Sequence, residues 1–334
     1  MPLPISNLPT PFERHARRDF RCLVIALASL AIAFSVPVEA AAPNRFERLR
    51  QQDLRVASVA YRLSISSQRL CGEGLEPQWG FVVHGIAQYH EAARKGAGSN
   101  YRLDNHLGVM AVVAGSPADV GGLTANDRLI SVNGLELSAG SDTGPGRAAA
   151  ERAEKVIANE AKNGAVTLRV SGASGERDVL LSPVLGCPSR VEVLPGSEVN
   201  AWADGEHVVV TTAMLEQCQT DDELALVIAH EMAHNILRHR DGLASHGVSV
   251  SSLLPVSEAG SAQIRETEEE ADRFAVSMAG VAGYDLGQAV SFLDRLLKGS
   301  GLGAQAAPTH PASDRRLALV RAAVATADSV TEGG

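Results

Sequence analysis

His230-Glu231-Met232-Ala233-His234 sets two imidazoles four residues apart, with a carboxylate beside the first. On a helix, positions i and i+4 share one face. Two rings on one face can grip one metal ion, and Glu231 can take a proton from a water held there. That chemistry is metal-assisted hydrolysis. A third ligand is needed, and Glu268 offers one. Glu268 and Asp272 are spaced i, i+4, and Glu268 follows His234 by 34 residues. An acidic run is ordinarily a solvated helix face. Here Ala271 and Ala275 leave room for that helix to approach the histidine helix closely.

The elements that must position these groups are legible. Residues 220–242 are predicted as one helix. Thr220 with Glu223 reads as a capping box, and Asp221, Asp222 and Glu223 place negative charge where the helix dipole favours it. Leu224, Val227 and Ile228 recur at helical spacing. Arg238, His239 and Arg240 fall in the last turn, with Gly242 as the stop. Before this helix, residues 191–194 form a strand, and residues 200–203 and 207–212 a hairpin over Asp204-Gly205. After it, residues 243–262 read as a loop covering the cleft. Residues 263–279 form the second helix. A further helix follows Gly283-Tyr284-Asp285, and Thr309-His310-Pro311 precedes a final helix over 313–327. His84, His90, His106, His207, His239 and His246 have no partner at ligand spacing and default to surface or turn positions.

Composition narrows the class. The 334 residues suggest two domains. Aromatic residues make up only 4 %, and the formal net charge is −9. No basic tract suits a nucleic acid, so DNA and RNA partners are excluded. Arg14, Arg17, Arg18 and Arg21 precede an apolar run over 22–36, and small residues near 38–42 offer cleavage sites. This is a signal peptide over 1–42. The run is shorter than the ~20 apolar residues that span a bilayer. The membrane therefore enters only through an uncleaved N-terminal segment. Export to the periplasm follows, with Arg17-Arg18 resembling a twin-arginine signal. Disulfides are permitted there, and Cys71, Cys187 and Cys218 allow three pairings.

Residues 44–70 carry apolar residues at helical spacing. Residues 78–188 differ in character. Residues 107–113 and 127–134 read as strands, the second ending in an Asn-Gly turn. Residues 147–161 read as a helix, and 166–170 and 179–181 as strands. The run GSPADVGGLTANDRLISVNG, 115–134, resembles the middle of a PDZ domain of the bacterial periplasmic-protease type. Such domains add a peptide C-terminus as a strand and hold its carboxylate on a loop. Gln78-Trp79-Gly80-Phe81 fits that loop, so Trp79, Gly80 and Phe81 are the candidate peptide-binding residues. The competing view is that Trp79 and Phe81 are plain core aromatics. If the loop is right, residues 85–105 are an insertion before the next strand.

Taken together, Asn200-Ala201, the capped Asp-Glu-Leu helix, His230-Glu231-x-x-His234, Glu268-x-x-Ala271-Asp272 and His310-Pro311 with Arg316 resemble the zinc metallopeptidase family that includes the HtpX and CAAX-prenyl endopeptidases. The soluble periplasmic type is the better match. The resemblance implies an α+β fold: a mainly helical zincin-type domain with a small β-sheet, interrupted by a PDZ domain. The expected division is 43–76 for the first peptidase helix, 77–187 for the PDZ insert and 188–330 for the rest of the peptidase domain. It implies one Zn2+ per chain on His230, His234 and Glu268, with Glu231 as general base and Asp272 holding a ligand histidine. His310 either stabilises the oxyanion or occupies the open metal position, and Arg316 serves the oxyanion or the fold. Cys71 and Cys187 border the insert, and a bridge between them would clamp its base, leaving Cys218 as a buried thiol. Cys71–Cys218 and no bridge are the rivals. The implied function is an exported metalloendopeptidase acting on misfolded or specific envelope polypeptides, with the PDZ module receiving C-terminal peptides. The alternative is a chaperone or assembly factor with a silent site.

Overall fold

A computed structural model of the chain describes residues 44–104, 106–138, 146–246, 258–299 and 313–331. The signal segment, most of the expected cover over 243–262, and His310 lie outside the described residues.

α1 (Arg45–Ser66) begins where Asn44 accepts hydrogen bonds from the N–H groups of Phe46 and Glu47, an N-cap that satisfies otherwise orphaned donors. Its buried stripe is Val56, Val59, Ala60 and Leu63. A tight turn, Gln68–Leu70, leads to Cys71. β1 (Glu76–Gln78) then opens a second body. β2 (Phe81–Gly85), α2 (Glu91–Tyr101), β3 (Leu107–Val112), α3 (Pro117–Val120), β4 (Arg128–Val132), β5 (Leu135–Glu136), α4 (Ala148–Glu160), β6 (Val166–Gly172) and β7 (Gly175–Leu181) follow. The sheet order is β2-β3-β4-β6-β7, with β5 on β4, and every pairing is antiparallel. Ser116 caps α3 with its side chain. The sheet and α4 bury Val83, Leu107, Val109, Leu129, Ile157 and Leu168 in a core of their own. The expected insertion before β3 is α2 and a short turn, so it is structured.

β8 (Val184–Gly186) returns antiparallel to β1. Beside this ribbon Cys71 and Cys187 are disulfide-bonded, 116 residues apart in sequence. In chain-entropy terms closing so long a loop stabilises by about 5 kcal/mol. Among the described residues, Cys218 is the free cysteine, and it is buried. Burial pushes its thiol up to about 12, so it stays protonated.

The third part of the chain rejoins α1. β9 (Arg190–Leu194), β10 (Ala201–Ala203) and β11 (His207–Thr211) form a sheet in the order β10-β11-β9. The hairpin β10–β11 is antiparallel, and β9 runs parallel to β11. Helices α5 (Thr212–Gln217), α6 (Asp221–Ile236), α7 (His239–Ser245), α8 (Glu258–Val281), α9 (Leu286–Gly299) and α10 (Ser313–Thr331) complete it. Leu63 of α1, Val210 of β11, Leu224 and Ile228 of α6, Met278 of α8 and Phe292 of α9 share one core. The fold is α+β and mainly helical, with α1, α8, α9, β10 and β11 packed against α6. Among the described residues no helix is long and apolar enough to cross a membrane.

α6 differs from its expectation in two ways. Thr220 Oγ1 accepts from the Glu223 N–H at 3.3 Å, but the Glu223 carboxylate accepts from the Gln219 N–H at 2.6 Å and pairs with Arg295. The reciprocal half of the capping box is therefore absent: the carboxylate reaches one residue further back, to the Gln219 N–H. The helix also stops at Ile236, short of residue 242. Arg238 takes a left-handed conformation, φ 54°, and α7 sets off in a new direction with Gly242 inside it. Asn235 and Arg240 hold this corner onto the β10–β11 turn, through Gly205 N–H, the His207 carbonyl and the Asp204 carbonyl.

Candidate metal centre

α6 carries His230, Glu231 and His234, and α8 carries Glu268 and Asp272. The helices lie side by side because Ala271 and Ala275, both fully buried, keep the contact face of α8 shallow. His230, His234 and Glu268 each turn a ligand atom inward, all within 4.8 Å of one another. The two Nε2 atoms are 3.2 Å apart. Glu268 places Oε2 3.5 Å from His230 Nε2 and Oε1 3.5 Å from His234 Nε2. Two nitrogens bound at ~2.0–2.1 Å to a tetrahedral zinc lie about 3.3 Å apart. The donors thus stand at ligand spacing, and a two-imidazole, one-carboxylate set suits zinc.

The surroundings favour a cation. Burial and the Arg316 charge push His230 down, but the Asp272 and Glu268 carboxylates outweigh them and raise it to about 10. A proton held this firmly marks a cluster that attracts positive charge. Burial foremost, then the His230 charge, pushes His234 down to about 3, which keeps that ring neutral, as ligation requires.

Behind the donors, Asp272 Oδ1 lies 2.9 Å from His230 Nδ1. Arg316, from α10, grips Asp272 with both arms of its fork: Nε donates to Oδ2 at 2.8 Å and Nη2 to Oδ1 at 2.9 Å. Burial pushes the Asp272 carboxyl up, but Arg316 dominates and pulls it down to about 2. Arg316 is thereby spent on Asp272, and its Nη2 also lies 3.1 Å from His230 Nδ1 and 3.2 Å from Nε2. Glu231 is half-buried on α6, near enough to raise the basicity of Arg316.

Three histidines assigned to surface or turn positions are buried instead. His84 is 3 % exposed and bonds Tyr89 Oη through Nδ1 at 2.9 Å. His207, 5 % exposed, starts β11 under Asp204. His239, 6 % exposed, sits against His234, Nδ1 to Nδ1 3.0 Å. On an unbroken helix a residue five positions on points about 140° away, so helical periodicity hides His239.

The structure places Trp79, Gly80 and Phe81 at the start of β2, along a cavity of about 100 Å³ bounded by β2 and by Glu154 and Ile157 of α4. Gly80 needs φ 73°, and a Cβ there would overlap the Ser116 side chain, so only glycine fits this loop. Trp79 and Phe81 also pack against the sheet's core. Ala57 and Tyr61 of α1 and Arg190 and Val191 of β9 also line the cavity.

A histidine pair and a glutamate converging from two packed helices, in a chain that also carries an antiparallel sheet with a core of its own, are the arrangement of a metallopeptidase-type domain joined to a second module. Sequence comparison assigns both parts. Residues 183–263 and 256–324 match peptidase family M48, and residues 108–144 match the PDZ domain family. The chain carries an M48-family zinc metallopeptidase domain fused to a PDZ domain. It is 28 % identical over 174 residues to a protein of Vibrio cholerae serotype O1 whose assigned name is beta-barrel assembly-enhancing protease. That stretch is 43 % of this chain and 36 % of the relative, so the chain spans about a third of the relative's length.

Proposed function

We propose that the chain is an exported zinc endopeptidase acting on envelope polypeptides, with its PDZ module receiving their ends. The observation that carries this reading is the convergence of His230, His234 and Glu268 within 4.8 Å. These three residues hold one zinc ion. Bound there, zinc supplies Lewis acidity towards a peptide carbonyl and lowers the pKa of a water molecule. Glu231 is the general base: it takes the water's proton and returns it to the leaving amine. Asp272 holds the Nδ1–H of His230, leaving the Nε2 lone pair directed at the site. Arg316 keeps Asp272 ionised, so its role is to support the ligand shell.

β10 is an edge strand of the three-stranded sheet, beside α6. Its outer backbone groups suit pairing with an extended substrate. Trp79, Gly80 and Phe81 receive a polypeptide C-terminus. The name of the Vibrio cholerae relative and the signal segment support a periplasmic location and an envelope substrate. A chaperone with a silent site is disfavoured, since both histidines, Glu231 and Glu268 are all present.

The test is casein hydrolysis by the mature protein, with metal content measured alongside. Wild type should contain one zinc per chain and lose activity to a chelator. Glu231→Gln should keep the zinc and lose at least ~100-fold in rate. Hydrolysis untouched by Glu231→Gln overturns the reading.

A further inference from the structure

The geometry points to His239, backed by Glu270, as a positioning residue that fixes the tautomer and ring orientation of His234. The inference rests on His234 ligating metal through Nε2. His239 is buried at the start of α7, and its ring meets that of His234 edge-on at 4.9 Å between centroids. Their Nδ1 atoms are 3.0 Å apart. At that distance one nitrogen donates and the other accepts.

The direction follows from the far side of His234. Its Nε2 is the atom that faces His230 Nε2 and Glu268 Oε1, so the lone pair must be on Nε2 and the proton on Nδ1. His234 Nδ1–H therefore donates, and His239 Nδ1 accepts. A neutral His239 that accepts at Nδ1 carries its own proton on Nε2. That nitrogen lies 3.3 Å from Glu270 Oε2, a carboxylate suited to receive it. Both donor imidazoles are thus backed by an acid: His230 directly by Asp272, His234 through His239 by Glu270. Partners of this kind orient a ligand ring and raise its basicity.

The test uses the full mature chain, stripped of metal and titrated with Zn2+ in competition with a chelating indicator. Co2+ replaces zinc in a parallel series, read by its visible ligand-field spectrum. Wild type should bind one equivalent. His239→Ala should weaken Zn2+ binding ~10–100-fold and shift the Co2+ bands. Glu270→Gln should weaken binding less, in the same direction, while the melting temperature of the metal-free protein stays at the wild-type value. A role limited to packing would lower that melting temperature and leave the Co2+ spectrum unchanged. Should His239→Ala fail to fold, Glu270→Gln decides alone, because that side chain is 54 % exposed. Wild-type affinity and an unshifted Co2+ spectrum in Glu270→Gln, or in both variants, overturn the inference. A wild type that binds no zinc overturns the metallopeptidase reading itself, and the inference with it.

Discussion

His239 Nδ1 stands 3.0 Å from His234 Nδ1 only because Arg238 between them is left-handed, φ 54°. A non-glycine residue in that conformation costs ~1–2 kcal/mol. The cost is offset by the bonds that Asn235 and Arg240 make to the β10–β11 turn. The corner therefore ties three things together: the end of the metal-site helix, the edge of the small sheet and the backing of His234. A continuous helix through residue 242 would keep His234 but turn His239 to another face.

Arg316 should prove more a structural than a chemical group. Its fork onto Asp272 is largely buried, with side-chain exposures of 18 % and 4 %. Removing one partner of a buried pair strands the other and costs ~3–5 kcal/mol. Arg316→Ala should therefore lower stability by about that amount and weaken Zn2+ binding, because Asp272 loses the charge that keeps it at about 2. Arg316→Lys should recover the charge but not the two-armed geometry, giving an intermediate loss. Chemical denaturation with metal titration checks both. A variant with native stability and zinc affinity but reduced turnover would move Arg316 to the substrate.

Much of this site was open to sequence reading, for physical reasons. The His230/His234 spacing, the Thr220 cap and the Ala271/Ala275 face are local patterns on helices, and helices report themselves through period. The placement of Asp272 under His230 follows from the same one-turn spacing that sets Glu268 beside it. What stayed hidden needs a third dimension. β9 pairs parallel with β11 across a long connection, and no local pattern announces it. His84 and His207 look like surface residues until Tyr89 and Asp204 fold over them. His239 is hidden by a backbone corner that its arginine does not advertise.

Asp53 supplies a pH test of the junction between α1 and the rest of the chain. It is 8 % exposed and lines a cavity of about 310 Å³ between α1, β2 and β9. Burial foremost, with the Glu192 charge adding, pushes its carboxyl from 3.8 to about 7, against the Val193 N–H, Arg147 and Arg50. The folded state holds the proton more tightly than the unfolded state does. Stability is therefore greatest below pH ~4 as far as this group is concerned, falls as pH rises towards 7, and is flat above, a change on the order of 4 kcal/mol. Asp53→Asn keeps an acceptor for the Val193 N–H and removes the charge. It should be the more stable protein at pH 8, with the advantage shrinking towards pH 4. Denaturation midpoints across that range check it, and a constant difference between the two proteins would show that Asp53 ionises normally in the fold.

The PDZ groove should be held narrow by the peptidase domain. The cavity of about 100 Å³ along β2 and α4 is also lined by Tyr61 of α1 and Arg190 of β9. α4 is tied to the peptidase sheet by Lys155 to Glu206 at 2.9 Å and Arg147 to Glu192 at 3.5 Å, while the Cys71–Cys187 bridge fixes the base of the insert. A peptide that adds along β2 enters beside these contacts, and its binding energy must offset any that it displaces. Glu206→Lys turns the attraction at Lys155 into repulsion and leaves the groove lining intact. It should raise the affinity of the full chain for a labelled peptide ending in a small apolar residue by about three- to fivefold, the scale of an exposed ion pair. Adding Lys155→Glu restores the pair with its charges exchanged and should return the affinity to the wild-type value. Fluorescence anisotropy of the labelled peptide reads both steps. An affinity that ignores the single reversal, or that the second reversal fails to restore, would place the barrier elsewhere than at α4.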